Sequence, residues 1–221
     1  KEKCNMKDLF NLESPLMQML TRIGDMILLN VLFLLCSIPV ITLGASLAAM
    51  NKMLQGIVYD SDSSTVKGFF RAFKANFRQA TVVWLIVLLI IASLFCDYLL
   101  IITFFSEAVR WMLGLLAVLA VLVLSVVSYM VPMLVRYDSR LKQHVNNAII
   151  LVFLKLPRTI GLLALNLLPL IILALSLNVF IQTLIFWVFI GFAFTAYMGT
   201  LLLKPVFDEL EKGKDAIKVG L

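Results

Sequence analysis

The chain has 221 residues, of which 62% are hydrophobic and only 14% charged, with a net charge of +6 and a mean hydropathy of +1.02. A soluble domain carries about 25% charged residues, so this composition excludes an ordinary water-soluble fold and points to a membrane protein. It also turns the basic excess away from nucleic acid and toward membrane topology and anionic headgroups.

The first helix is expected from Ser14-Pro15 to about Ser37, with Pro at a favoured early position. Arg22 and Asp25 lie three apart near its start and are expected to pair. The run Pro39-Val-Ile-Thr-Leu-Gly44 reads as a turn, with Thr42 as the cap of a second helix from about Leu43 to Val58. Gly44, Ala45, Ala48 and Ala49 suit close helix contact, whereas Lys52 and Gln55 make this arm a poor spanning segment. Residues 13–58 are therefore read as an N-terminal hairpin whose second helix packs against protein, with a single crossing as the alternative.

Next, Phe69, Phe70, Phe73 and Phe77 fall on one helical face and Arg71, Lys74 and Arg78 on the other. That pattern predicts an amphipathic elbow helix in the headgroup plane, feeding a spanning helix over about 80–105. Glu107 and Arg110 mark a short turn, and an uncharged helix returns from Trp111 to Val135. A second elbow is expected next, with Leu141, Val145, Ala148, Ile149, Val152 and Phe153 on one stripe, ending near Pro157. Two further spans, about 159–177 and 180–203, are separated by a turn near Asn178. Units 66–138 and 140–208 share this order (elbow, outward helix, inward helix) and read as parallel repeats, unlike the inverted repeats of many transporters.

The expected fold is thus an all-α polytopic transmembrane bundle forming one membrane domain. It has about six membrane helices, the second marginal, plus two interfacial elbows. Every Lys and Arg except Arg110 then lies on one side. By the positive-inside rule that side is cytoplasmic, as are both termini, in a multi-pass cell-membrane protein. The first apolar run starts too late for a cleavable signal peptide.

Candidate functional residues are few. Asp97 is the one carboxylate well inside a span, and a charge there is costly. It reads as a functional group or as a residue reaching water at the far end. Asn30 and Asn166 are strong polar groups in apolar context, read as interhelical hydrogen-bonding groups or solute contacts. Gly191, Thr195 and Gly199 recur every fourth residue and read as a helix-packing face. Cys4, Cys36 and Cys96 are odd in number and widely spaced, and His144 is the lone histidine, so neither a disulfide framework nor a metal site is expected. Nucleotide-binding, serine-hydrolase and zinc-protease motifs are missing, so no enzyme activity and no cofactor are expected.

The run Leu9-Phe10-Asn11-Leu12-Glu13-Ser14-Pro15, with Gly24-Asp25, Leu29-Asn30 and Ser37-Ile38-Pro39-Val40-Ile41-Thr42-Leu43-Gly44-Ala45, resembles the YesL family of bacterial membrane proteins. The likeness continues through Phe69–Ala80, Trp84-Leu85 and Arg136-Tyr137-Asp138. The family is of unknown function, and its genes often lie near carbohydrate-uptake ABC transporters, sugar-degrading enzymes and two-component regulators. The resemblance implies a non-catalytic accessory role in carbohydrate uptake or its regulation. Beyond the lipid bilayer, it implies a transporter permease or membrane sensor subunit as partner; a homo-oligomer is a further alternative. A small transporter or channel is the other functional reading.

Overall fold

The computed structural model describes residues 15–59, 64–104, 111–137 and 139–219, and side chains from 17 to 212 within them. No strand occurs among these residues. Helix α1 spans Pro15–Ser37, and a 3-10 turn at Val40–Thr42 leads into α2, Leu43–Val58. Then come α3 (Thr65–Phe104), α4 (Trp111–Arg136), α5 (Leu141–Leu154), α6 (Leu156–Leu175) and α7 (Leu177–Phe186). A π-helical turn at Trp187–Gly191 joins α7 to α8, Phe192–Val219. Among the described residues, five helical stretches are long and apolar enough to cross a membrane: Met17–Ser37, Thr65–Phe104, Trp111–Arg136, Leu156–Leu175 and Leu177–Lys212. An all-helical solution is what lipid demands, because a helix satisfies its backbone groups internally. The protein is membrane-embedded.

Three sequence expectations change. The sixth membrane helix drops out, since α2 is not among the five candidate spans. The first elbow and its span are one unbroken helix, α3, of 40 residues. Nothing between Lys74 and Val83 interrupts it, as no Gly or Pro occurs there. The second elbow does end, at Lys155, because Pro157 sits in the first turn of α6 and disfavours continuation of α5. Finally, Thr42 does not cap α2. Its hydroxyl points backward and donates to the Cys36 and Pro39 carbonyls at 2.6 and 2.7 Å, closing the end of α1. One smaller difference follows: the turn between the last two spans is at Ser176, two residues before Asn178. Asp25 accepts a hydrogen bond from the Thr65 hydroxyl, which links α1 to α3. Glu107 and Arg110 lie outside the described residues.

The most buried element is α2. Its Ala45 and Ala48 join a core with Val83, Tyr129, Met133, Leu151, Leu203 and Phe207. Its Ala49, Met50, Met53 and Leu54 join a second core with Leu29, Phe33, Phe69 and Ala193. One short helix therefore separates and serves both cores. Its close approach to α3 requires glycine: a Cβ on Gly44 would lie 2.4 Å from the Trp84 Cβ and 2.7 Å from the Ala80 carbonyl oxygen.

The turn between α1 and α2 fixes the depth of this hairpin. The Trp84 indole donates to the Val40 carbonyl at 2.8 Å, and Gly44 lies in a crevice with Val127, Val131 and Leu134. The turn is therefore beside the second half of α4. Trp84 is 20 residues short of Phe104, or roughly 30 Å along α3 at 1.5 Å per residue. The hairpin tip stops well short of the far ends of α3 and α4.

Candidate functional site

A cavity of about 280 Å³ lies where α2, α3, α4, α6 and α8 meet. Its polar lining comes from Asn51 on α2, Ser128 on α4, Asn166 on α6 and Thr195 on α8. Each is held by its own helix or a neighbour. Asn51 Nδ2 donates to the Leu47 carbonyl at 2.9 Å and Ser128 Oγ to the Leu124 carbonyl at 2.7 Å. Asn166 Nδ2 donates to Ser128 Oγ at 2.8 Å, tying α6 to α4, and Thr195 Oγ1 donates to the Phe192 carbonyl at 3.0 Å. The amide oxygens of Asn51 and Asn166 accept no hydrogen bond among the described residues. Trp84 gives the cavity a flat apolar wall, fixed by its bond to Val40. Pro132 also lines it; lacking an N–H, it leaves the Ser128 carbonyl without its usual helical partner. Asn166 is exposed, so the cavity is open.

At the end of the bundle where the basic residues gather, α2 closes the space. Lys52 Nζ donates to the Val135 carbonyl at 2.7 Å and Gln55 Nε2 to the Pro132 carbonyl at 2.8 Å. The Val135 carbonyl is one of the orphan acceptors at the end of α4, which is why a lysine there is welcome. Beyond it, the Arg136 guanidinium lies 4.1 Å from the Tyr59 ring centroid and 5.0 Å from that of Phe207, a favourable cation–π sandwich. It also pairs with Glu211 at 2.8 Å. Tyr59 donates to Asp208 at 2.9 Å. Burial, reinforced by that bond, pushes the Tyr59 hydroxyl up to about 12, so it stays a donor. Lys204 reaches the Val58 carbonyl at 3.4 Å. The ends of α2, α4 and α8 are thus locked together by polar contacts.

The residues singled out from sequence do not form one site. Asn30 is fully buried and saturated. Its Nδ2 donates to the Trp187 and Val188 carbonyls at 3.1 and 2.7 Å, and its Oδ1 accepts from the Ala193 N–H at 2.8 Å. A π turn disturbs the helical ladder, and Asn30 supplies the missing partners from α1. Asp97 lies exposed on the far half of α3, away from the cavity and without a hydrogen bond or ion pair among the described residues. Asn166 is in the cavity. The Gly191, Thr195, Gly199 face divides its labour. Gly199 packs on Leu162 of α6, and Thr195 lines the cavity. Gly191 makes room for Trp187 of its own helix, whose ring lies 2.5 Å from where a Cβ would be. Sequence reasoning missed Asn51, Ser128, Tyr59 and the Arg136 cluster. The signal for Asn51 was present, since it adjoins the Lys52 and Gln55 that already argued against lipid exposure. No group of His, Cys, Asp or Glu suited to a metal ion occurs among the described residues.

Fold and cavity together define a membrane-embedded protein, all-helical among the described residues, with a mainly apolar pocket that carries four polar side chains. The family model "Protein of unknown function, DUF624" matches residues 26–98, from the middle of α1 to the far part of α3. No curated protein and no solved structure matches the chain.

Proposed function

We propose that the protein is a non-catalytic accessory of carbohydrate uptake, acting on an ABC transporter or its regulation, and that it is a YesL-type member of the matched family. The residues carrying that resemblance overlap the matched stretch 26–98. The cavity chemistry supports the non-catalytic part: amides and hydroxyls do not exchange protons readily near neutral pH. In this reading the basic ends and both termini face the cytoplasm. The observation that carries the accessory role is the α3–α4 pair, flanked by two apolar furrows of about 630 and 400 Å³. A permease or sensor helix seats in the larger one, between Leu94 and Leu116. A photo-crosslinker at Leu116, activated in sugar-grown cells, tests this. Recovery of a permease or sensor subunit is expected, whereas adducts with lipid alone would overturn it.

A second reading, a small transporter or channel, is favoured by the central cavity itself. Solute flux into liposomes, abolished by Asn166→Leu, would establish it; absence of flux for any solute class would remove it.

A further inference from the structure

We infer that the central cavity is a binding site for a small, neutral, polyhydroxylated solute. First, the space is of binding-site size: ligand pockets start near 300 Å³, and this one is about 280 Å³. Second, its hydrogen-bonding capacity is mixed and unspent. Asn51 and Asn166 each use one amide hydrogen, to Leu47 and Ser128, and keep their carbonyl oxygens free among the described residues. Each therefore offers one donor and one acceptor, which is what a hydroxyl group needs. Third, no charged side chain lines the cavity, so an ion entering it would lose its hydration without compensation. A neutral solute would not. Fourth, Trp84, tied to the Val40 carbonyl through its indole N–H, lines the cavity and adds apolar surface suited to the C–H groups of such a solute. Polar groups at this depth are costly in a membrane protein, and they gather where they line a cavity.

The two amides come from helices that do not touch through these groups: Asn51 from the buried arm α2, Asn166 from α6. A solute with hydroxyls on neighbouring carbons bridges them. Its binding would also report on the hairpin, because Asn51 sits one helical turn from Gln55, whose amide holds the carbonyl of the cavity-lining Pro132 on α4.

The test uses the full chain purified in detergent, titrated with myo-inositol and D-glucose and with the charged analogues D-glucuronate and D-glucosamine. Saturable calorimetric binding of the neutral pair is expected, weakened at least about tenfold by Asn166→Leu and by Asn51→Leu, the scale of one lost hydrogen bond. Asn178→Ala, at the start of α7 and outside the cavity lining, should bind like the parent. Thermal melts establish that each variant is folded. Because Asn51→Leu alters a buried position, Asn166→Cys gives a second measurement. With the three native cysteines replaced by serine, it should react with a small polar thiol reagent and be protected by the neutral probe. Four results would each overturn the inference: no saturable binding of either neutral probe, tighter binding of the charged analogues, folded amide variants that bind like the parent, or an unreactive Asn166→Cys.

Discussion

The two halves of this bundle are solvated differently. At the basic end, α2, the start of α3, the end of α4 and the end of α8 bury Phe69, Tyr129, Phe207, Leu54 and Leu203 almost completely. At the other end, α3 beyond Val87 buries only Ile101, α4 buries nothing before Ser125, and α7 buries nothing. Leu89, Phe104, Trp111 and Leu175 are each at least 70% exposed there. An apolar surface of that extent does not persist in water. One half builds a protein core around a short helix, and the other uses lipid as its core. The contrast explains why hydropathy alone misjudges α2, which is small, partly polar and yet the best-buried helix in the chain.

Paired substitutions sharpen the comparison. The largest effect is expected for Phe69→Ala, about 3–5 kcal/mol from lost burial and a residual cavity. Leu89→Ala, on the lipid-facing half, should stay within about 0.5 kcal/mol. Steric unfolding in a mild detergent reads both, and equal losses would dissolve the distinction. Gly44→Ala should cost about 1–3 kcal/mol by forcing α2 off α3, measured in the same way; a neutral result would mean that the Trp84 contact yields easily. Asn30→Leu should cost about 1–3 kcal/mol by leaving the π turn's carbonyls and the Ala193 N–H without partners. Hydrogen exchange should localise that loss to Trp187–Ala193, and protection there equal to the parent's would refute the stapling role.

The smallest effect is a pH dependence. The Tyr59 hydroxyl is raised from its ordinary value of 10 to about 12. The folded state therefore holds its proton more tightly than the unfolded chain. That contribution is complete below pH 10 and fades as pH rises toward about 12. Tyr59→Phe should remove this alkaline component of the melting curve, and a variant curve parallel to the parent's between those limits would count against it.

Much of the helix framework was legible because lipid imposes long uncharged runs, and Pro15, Pro39 and Pro157 mark real boundaries. The hairpin was legible from Lys52 and Gln55, whose charge and amide needed protein partners. What could not be read was tertiary. Thr42 had the identity and place of a cap, yet its hydroxyl found two nearer carbonyls behind it. The elbow at 66–78 had an amphipathic pattern, but pattern alone does not say whether a helix stops. Asn51, Ser128 and Asn166 are distant in sequence and meet only because α2 enters the bundle. Asp97 stood out on a helix read alone, and its place on the far half of α3, away from the cavity, could be read only from the packing.

The hairpin's depth is the feature from which both the two-sided solvation and the cavity floor follow, and cysteine labelling from each side of sealed vesicles measures it directly. In a background free of native cysteines, Lys67→Cys and Arg140→Cys should react from the same side, while Ile41→Cys at the hairpin tip should resist polar reagents from both. Reaction of Ile41→Cys from the side opposite Lys67→Cys would show that α2 crosses the membrane, and would contradict the account.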